Sequence, residues 1–255
     1  MTEESTARVA LVTGAGTGIG EATARRFAAD GALVVLAGPA RPELQDVATQ
    51  LGEGRTLVHV VDVSVQAEVE AMVAAAVARF GRLDVLVNNA GVAPTGPLLE
   101  SSVDDWRAVM AVDLDGVYFG CRAALPHLMR TRGCIVNVSS VSGLAGDWNM
   151  SAYNAAKGAV SNFTRSLALE LGPQGVRVNA VAPSLVLTPL TEGVQEDDAL
   201  QRAFAERIPL GRGAHPEEVA DVIAFLAGHD ARFVSGVNLP VDGGLTASNG
   251  QPRQA

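Results

Sequence analysis

Cysteine is scarce in this chain. Only Cys121 and Cys134 occur among 255 residues, and they form no C-x-x-C pair. A disulfide framework is therefore not expected, and both read as reduced, buried apolar residues of an intracellular protein. Histidine is equally sparse. His59, His127, His215 and His229 show no ligand spacing and none lies beside a cysteine, so no catalytic metal is expected. Basic side chains, 19 against 28 acidic ones, leave a net charge of −9. That balance disfavours a nucleic-acid partner, because phosphate binding draws on a basic surface. Any anionic ligand must be held by local dipoles and backbone N–H groups. No run of about 18 apolar residues exists, so no membrane span is expected. The N-terminal "MTEESTARVALVTG" lacks the basic region and cleavable apolar stretch of a signal peptide. A cytoplasmic protein is the expectation.

What is present is a globular composition, 48% hydrophobic and 18% charged, in a length that fits one domain over 1–255. Short Val-, Leu- and Ile-rich runs at 8–13, 32–37, 56–61, 83–88, 134–139 and 176–182 read as strands buried on both faces. A seventh is expected after Ser235, in "SGVNLPVDGG". Helical spacing separates them. It is clearest from Val65 to Phe80, with Ser64 as the expected N-cap and Glu68 in the first turns. Asp104–Met129 reads as a long helix, bent or ended near Pro126, and Ala152–Leu171 as another. This alternation predicts an α/β fold: a Rossmann-type, doubly wound parallel sheet of about seven strands flanked by helices. Residues 184–214 hold no clear strand and carry charge; a segment covering the substrate site is the reading.

The first strand runs into "TGAGTGIGEATARRFA", with Gly14, Gly18 and Gly20 opening a helix, and Thr17 and Ile19 between them. Glycines allow a tight turn and close approach of backbone to ligand. Free N–H groups at the helix start then face a diphosphate, and the helix dipole favours its charge. The position after the first strand is the context this motif requires. Further on come "NNAG" at 88–91, "VNVSS" ending at Ser140, and Tyr153-x-x-x-Lys157. In this order and spacing the chain resembles the classical short-chain dehydrogenase/reductase family along nearly its whole length.

Positions four apart share a helix face, so Tyr153 and Lys157 project the same way. A tyrosine of ordinary pKa, about 10, is a poor base near neutrality. A nearby ammonium and an oxidised nicotinamide both favour its charged form. Tyr153 can then remove an alcohol proton as hydride leaves, or return one to a carbonyl oxygen. Ser140, at a strand's C-terminal end where open parallel sheets place ligands, can bond the oxygen that gains charge in the transition state. Ser139 and Ser142 read as structural.

The resemblance implies more. Lys157 would also bond the nicotinamide ribose. Relatives carry asparagine where Asp113 stands, helping to hold a water that links the lysine to solvent. Asp113 accepts the same bonds but cannot donate as an amide does, and if ionised it supports the ammonium of Lys157. Asp62 and Val63 resemble the adenine contact, Asn89, Ala90 and Gly91 the loop after the fourth strand, and Val186 and Thr188 the segment that holds the nicotinamide amide. Gly38 stands where NAD-preferring relatives carry Asp; Arg41 lies close enough to meet a 2′-phosphate. With neither the usual carboxylate nor the usual cation, NAD and NADP remain alternatives. "SSVSGLAGDWNMSAYNAAKGAV", Asp113 and "PVDGGLTASNGQP" resemble the acetoin and meso-2,3-butanediol dehydrogenase group. The resemblance thus implies a small vicinal diol or hydroxyketone as substrate, with Trp148 and Asn149 lining its pocket. A 3-oxoacyl thioester reductase, or a broader secondary-alcohol dehydrogenase, is the alternative; a dinucleotide-binding regulator without turnover is the remote one. Small and apolar residues around the helix bearing Tyr153 suit burial on two sides, and the resemblance suggests homotetramers, with the tail after Leu245 lying on a neighbour.

Overall fold

A computed structural model describes residues 7–52 and 54–251 of the chain. The expectations for the extreme N-terminus and for the tail beyond Gln251 lie outside the described residues. Seven strands form one sheet: β1 (Val9–Thr13), β2 (Leu33–Gly38), β3 (Thr56–Val60), β4 (Val85–Asn88), β5 (Cys134–Val138), β6 (Arg177–Pro183) and β7 (Asn238–Val241). Their order is β3-β2-β1-β4-β5-β6-β7, and every neighbouring pair is parallel. The order reverses between β1 and β4, which opens a crevice above their carboxyl ends. The continuous apolar runs are explained by burial on both sides. Val34 and Leu36 join a cluster under α1 (Gly18–Ala29), α2 (Arg41–Leu51) and α9 (Pro216–Ala227). Their neighbours Val35 and Ala37 join the opposite cluster under α3 (Gln66–Phe80), α5 (Gly116–Thr131) and α6 (Ser151–Leu171).

Two local expectations are corrected. Ser64 does not cap α3. Val65 is the capping residue, and the Ser64 N–H and hydroxyl both donate to Asp62 Oδ1, at 2.9 and 2.6 Å. Next, the long helix after 103 is not uniform. α4 (Val103–Met110) passes through a wide π turn, Ala111–Asp115, into α5, and Pro126 neither ends nor divides it. The break therefore falls at a π-bulge, a device that recurs at functional sites. The 184–214 segment, expected to hold no clear strand, contains α7 (Glu192–Gln195) and α8 (Asp198–Arg207). Both its ends are held together by the bridge between Val186 and Ala214.

Candidate active site

The glycine turn leads from β1 into α1. Gly14 and Gly18 have φ of +64° and +56°, left-handed values that favour glycine. At Gly20 a Cβ would lie 2.0 Å from the Gly14 carbonyl oxygen, so only glycine lets α1 pack this closely on the turn. Thr17 is the N-cap but makes no side-chain capping bond, which leaves the first-turn N–H groups of α1 free for a ligand. Thr188 lies over this turn, its methyl 3.0 Å from where a Gly18 Cβ would stand. Val186 beside it is buried. These residues fit a dinucleotide diphosphate: an open helix start with no room for side chains around it.

Thr13 is a residue that sequence reading missed. Its hydroxyl accepts from the N–H groups of Asn89 and Ala90, at 2.9 and 3.1 Å. Asn89 Nδ2 donates back to the Thr13 and Gly14 carbonyls, at 2.9 and 3.3 Å. The amide donors of Asn89 thus join the two cofactor loops. A hydroxyl residue at a strand end just before glycine was the available signal.

On the other side of the crevice, Lys157 is 3% exposed and Asp113 fully buried. Lys157 Nζ lies 3.0 Å from Asp113 Oδ2 and donates to the Val138 carbonyl at 3.1 Å. Burial acts to lower the Lys157 pKa; Asp113 and then Tyr153 outweigh it, so the value is raised and the side chain is an ammonium at neutral pH. Asp113 Oδ1 accepts from the Val92 N–H at 2.8 Å. A Cβ on Gly91 would stand 2.9 Å from Asp113 Oδ2 and 3.4 Å from Lys157 Nζ. The π turn therefore swings Asp113 between the 88–92 loop and α6. One turn earlier on α6, the Tyr153 ring centroid is 5.5 Å from Lys157 Nζ.

Ser140 follows β5. Its Oγ accepts from the Ser142 N–H at 3.1 Å and donates weakly to the Pro183 carbonyl at 3.4 Å. That long bond leaves its proton easily redirected. Ser139 instead donates to the Lys157 carbonyl at 3.1 Å, and Ser142 donates to Asp147.

The other residues singled out in the sequence lie around this centre. Trp148 is 84% exposed. Asn149 has φ of +57°, and its carbonyl accepts from the Gly96 N–H. The turn is fixed by Asn154, whose Oδ1 accepts from the Asp147 N–H and whose Nδ2 donates to the Met150 carbonyl; this points the indole outward. Val63 is buried against Gly116. The carboxylate of Asp62 is occupied by Ser64, which lowers its pKa. Arg41 opens α2 and helps to lower the pKa of His59, after the larger effect of burial. A Cβ on Gly38 would meet only ordinary contacts, the nearest 3.5 Å away.

Comparison with known proteins agrees with this geometry. A family model described as Enoyl-(Acyl carrier protein) reductase matches residues 14–246. Meso-2,3-butanediol dehydrogenase of Serratia marcescens is 54% identical over 246 residues, 96% of this chain and 97% of that protein. Cis-4-hydroxycyclohexanecarboxylate dehydrogenase of Sinomonas cyclohexanicum is 48% identical, covering 97% and 100%. Among solved structures, 3-ketoacyl-(acyl-carrier-protein) reductase from Brucella melitensis, complexed with NADH, superposes with a TM-score of 0.87 at 36% identity, over 94% of this chain and 98% of that one. A glycine turn, a Tyr-x-x-x-Lys helix and a seven-stranded parallel sheet, matched along almost the full length by dehydrogenases and reductases, mean that the chain is an oxidoreductase of the short-chain dehydrogenase/reductase family.

Proposed function

We propose that the chain interconverts a small secondary alcohol, a vicinal diol or hydroxyketone of the 2,3-butanediol and acetoin kind, with its ketone. The observation that carries this is the buried Lys157–Asp113 pair set one helical turn behind Tyr153. A permanent ammonium there stabilises negative charge on the phenol oxygen. The 54% identity to a meso-2,3-butanediol dehydrogenase supports the substrate class.

The glycine turn and the α1 start would hold the diphosphate, Asp62, Val63, Asn89, Ala90 and Gly91 would line the adenosine side and the ring, and Val186, Thr188 and Lys157 would hold the nicotinamide end. When bound, the nicotinamide accepts or returns hydride. In alcohol oxidation Tyr153 takes the hydroxyl proton while the carbinol carbon gives up hydride. In reduction it protonates the oxygen that receives charge. Ser140 holds that oxygen, and Lys157 keeps the proton on the tyrosine side exchangeable. Asp113 holds Lys157 in place and in its charged form.

The thioester-reductase alternative is not decided by charge. α7, α8 and their junction carry Glu192, Glu196, Asp197, Asp198 and Glu206, while Arg212 is engaged by Glu218 at 2.7 Å. Arg202 and Arg207 lie on α8 as well, so both signs of charge are present, and the substrate class rests on the 54% identity to a meso-2,3-butanediol dehydrogenase. Residues 1–255 act as one catalytic domain with 184–214 as its substrate segment, in the cytoplasm and as a homotetramer. An assay at the reduced-nicotinamide absorbance band with acetoin, diacetyl and a 3-oxoacyl ester, each with NADH and NADPH, separates the readings. Acetoin or diacetyl should turn over fastest; a faster ester, or no turnover at all, would overturn the proposal. Tyr153→Phe should keep fold and dinucleotide binding and lower turnover by a factor on the order of a hundred or more.

A further inference from the structure

The sheet-facing side of α6 is unexpectedly polar. Ala156, Val160 and Leu171 are buried there, but so are Lys157, Ser161 and Thr164. A helix stripe packed on a parallel sheet needs only apolar groups for burial, and each buried polar group costs stability unless it is bonded. Here all three are bonded. Asn137 and Ser139, two residues apart and hence on one side of the strand line, meet the helix at separate heights. Asn137 Nδ2 donates to Thr164 Oγ1 at 2.9 Å, and Asn137 Oδ1 accepts from Asn88 of β4 at 2.9 Å. Ser139 Oγ donates to the Lys157 carbonyl at 3.1 Å and stands 2.7 Å from Ser161 Oγ. Since Ser139 has one proton, Ser161 donates in that second contact. The Ser161 carbonyl accepts from Asn238 of β7 at 3.0 Å. A Cβ on Gly143 would lie 2.5 Å from the Lys157 carbonyl and 2.6 Å from Ser139 Oγ, so the loop after Ser140 is pressed onto the same turn.

Apolar packing is non-directional; it would let α6 slide or roll on the sheet. Hydrogen bonds at residues 157, 161 and 164 forbid both. Ser139 also anchors to β6 through its N–H to the Val181 carbonyl, 2.9 Å, and is covalently next to Ser140. One residue thus grips the turn bearing Lys157 and fixes the backbone that carries the Ser140 hydroxyl. We propose that Ser139 and the Asn137–Thr164 bond are positioning residues that set the rotation and height of α6, and so the placement of Tyr153 and Lys157 opposite Ser140. This rests on the reading that Tyr153 transfers the proton, and reactions of this kind lose rate steeply when groups are misplaced by even about 1 Å.

The experiment measures melting temperature, NADH and NADPH dissociation constants, and kcat and KM for acetoin in Ser139→Ala, Thr164→Val, Thr164→Ser, Val160→Ala and Tyr153→Phe. Ser139→Ala and Thr164→Val should lower kcat about tenfold or more, with KM and nucleotide affinity within about threefold of the parent. Thr164→Ser, which keeps the hydroxyl, should restore most of the rate. Val160→Ala removes apolar contact from the same face and should lower the melting temperature while keeping kcat within about twofold. Ser139→Ala and Thr164→Val no slower than Val160→Ala, or Thr164→Ser as slow as Thr164→Val, would overturn the inference. Should Ser139→Ala not fold, the Thr164 pair decides by the same criterion. A slow Tyr153→Phe beside a fast Ser139→Ala and Thr164→Val sinks this inference alone. Parental turnover in Tyr153→Phe sinks the proton-transfer reading, and this inference with it.

Discussion

At residue 113 a carboxylate stands against a buried ammonium. Removing one partner of a buried pair leaves the other uncompensated. In Asp113→Asn the lowering effect of burial on Lys157 persists while the largest opposing effect disappears, so the lysine pKa must fall. Its folded value is raised, so its ammonium-linked stability is present below the ordinary lysine value and lost only at more alkaline pH. The variant should therefore lose activity and stability at lower pH than the parent, seen as a shifted alkaline edge of kcat/KM. An unchanged edge would deny the charge any role. Gly38 offers a second test at this scale. There is room for a side chain, and a carboxylate at the end of β2 would bond ribose hydroxyls and repel a 2′-phosphate. Gly38→Asp should raise the NADPH-to-NADH ratio of dissociation constants by about tenfold or more, measured by fluorescence titration. The thiols show the opposite case, side chains without chemistry: burial pushes Cys121 up to about 12, which keeps it a protonated core residue.

Helix and strand periodicity was legible at the element scale, and its errors have local causes. Ser64 looked like a cap because spacing fixes a helix start only to within a residue or so, and α3 is capped one residue later, at Val65. The π turn at Ala111–Asp115 has no residue signature; one extra residue per turn is accepted because it brings Asp113 to Lys157. α9 was overlooked although Pro216 opens it and Val219, Ala220, Ile223 and Ala224 follow at helical spacing. Its cap yields a prediction. Glu218 accepts from the His215 N–H at 2.8 Å and pairs with Arg212, which holds its pKa near 2 against an ordinary 4.5. A depressed pKa adds stability above the ordinary value and loses it as pH falls through the folded one. Glu218→Gln should thus flatten the fall of melting temperature between pH 4.5 and about 2. Because the pair is largely exposed, the effect should be small; a parental slope would show that the cap contributes nothing.

For the whole molecule, the outer side of α6 and α5 is where the proposed tetramer can be tested. Ala159, Asn162, Phe163 and Ser166 face Leu114, Asp115 and Tyr118 across a shallow surface hollow, and Leu169 is exposed. Among the described residues no helix is long and apolar enough to cross a membrane; the occupant tested for this face is the second copy of the chain proposed above. Light scattering at micromolar concentration should give the mass of a tetramer, and Phe163→Asp should lower it; a monomeric parent would remove the idea.

The amino-acid sequence by itself determined the alternation of elements, the parallel sheet, the glycine turn and the Tyr153–Lys157 spacing. These depend on local periodicity and on backbone conformations that neighbours in sequence dictate. Only the tertiary structure decided that a π turn carries Asp113 to Lys157, that Thr13 joins the two cofactor loops, that Trp148 is exposed and that Ser139 bonds α6. Each of those contacts joins segments brought together by packing, or turns on which of several nearby acceptors wins a hydrogen bond, and neither is written in spacing along the chain.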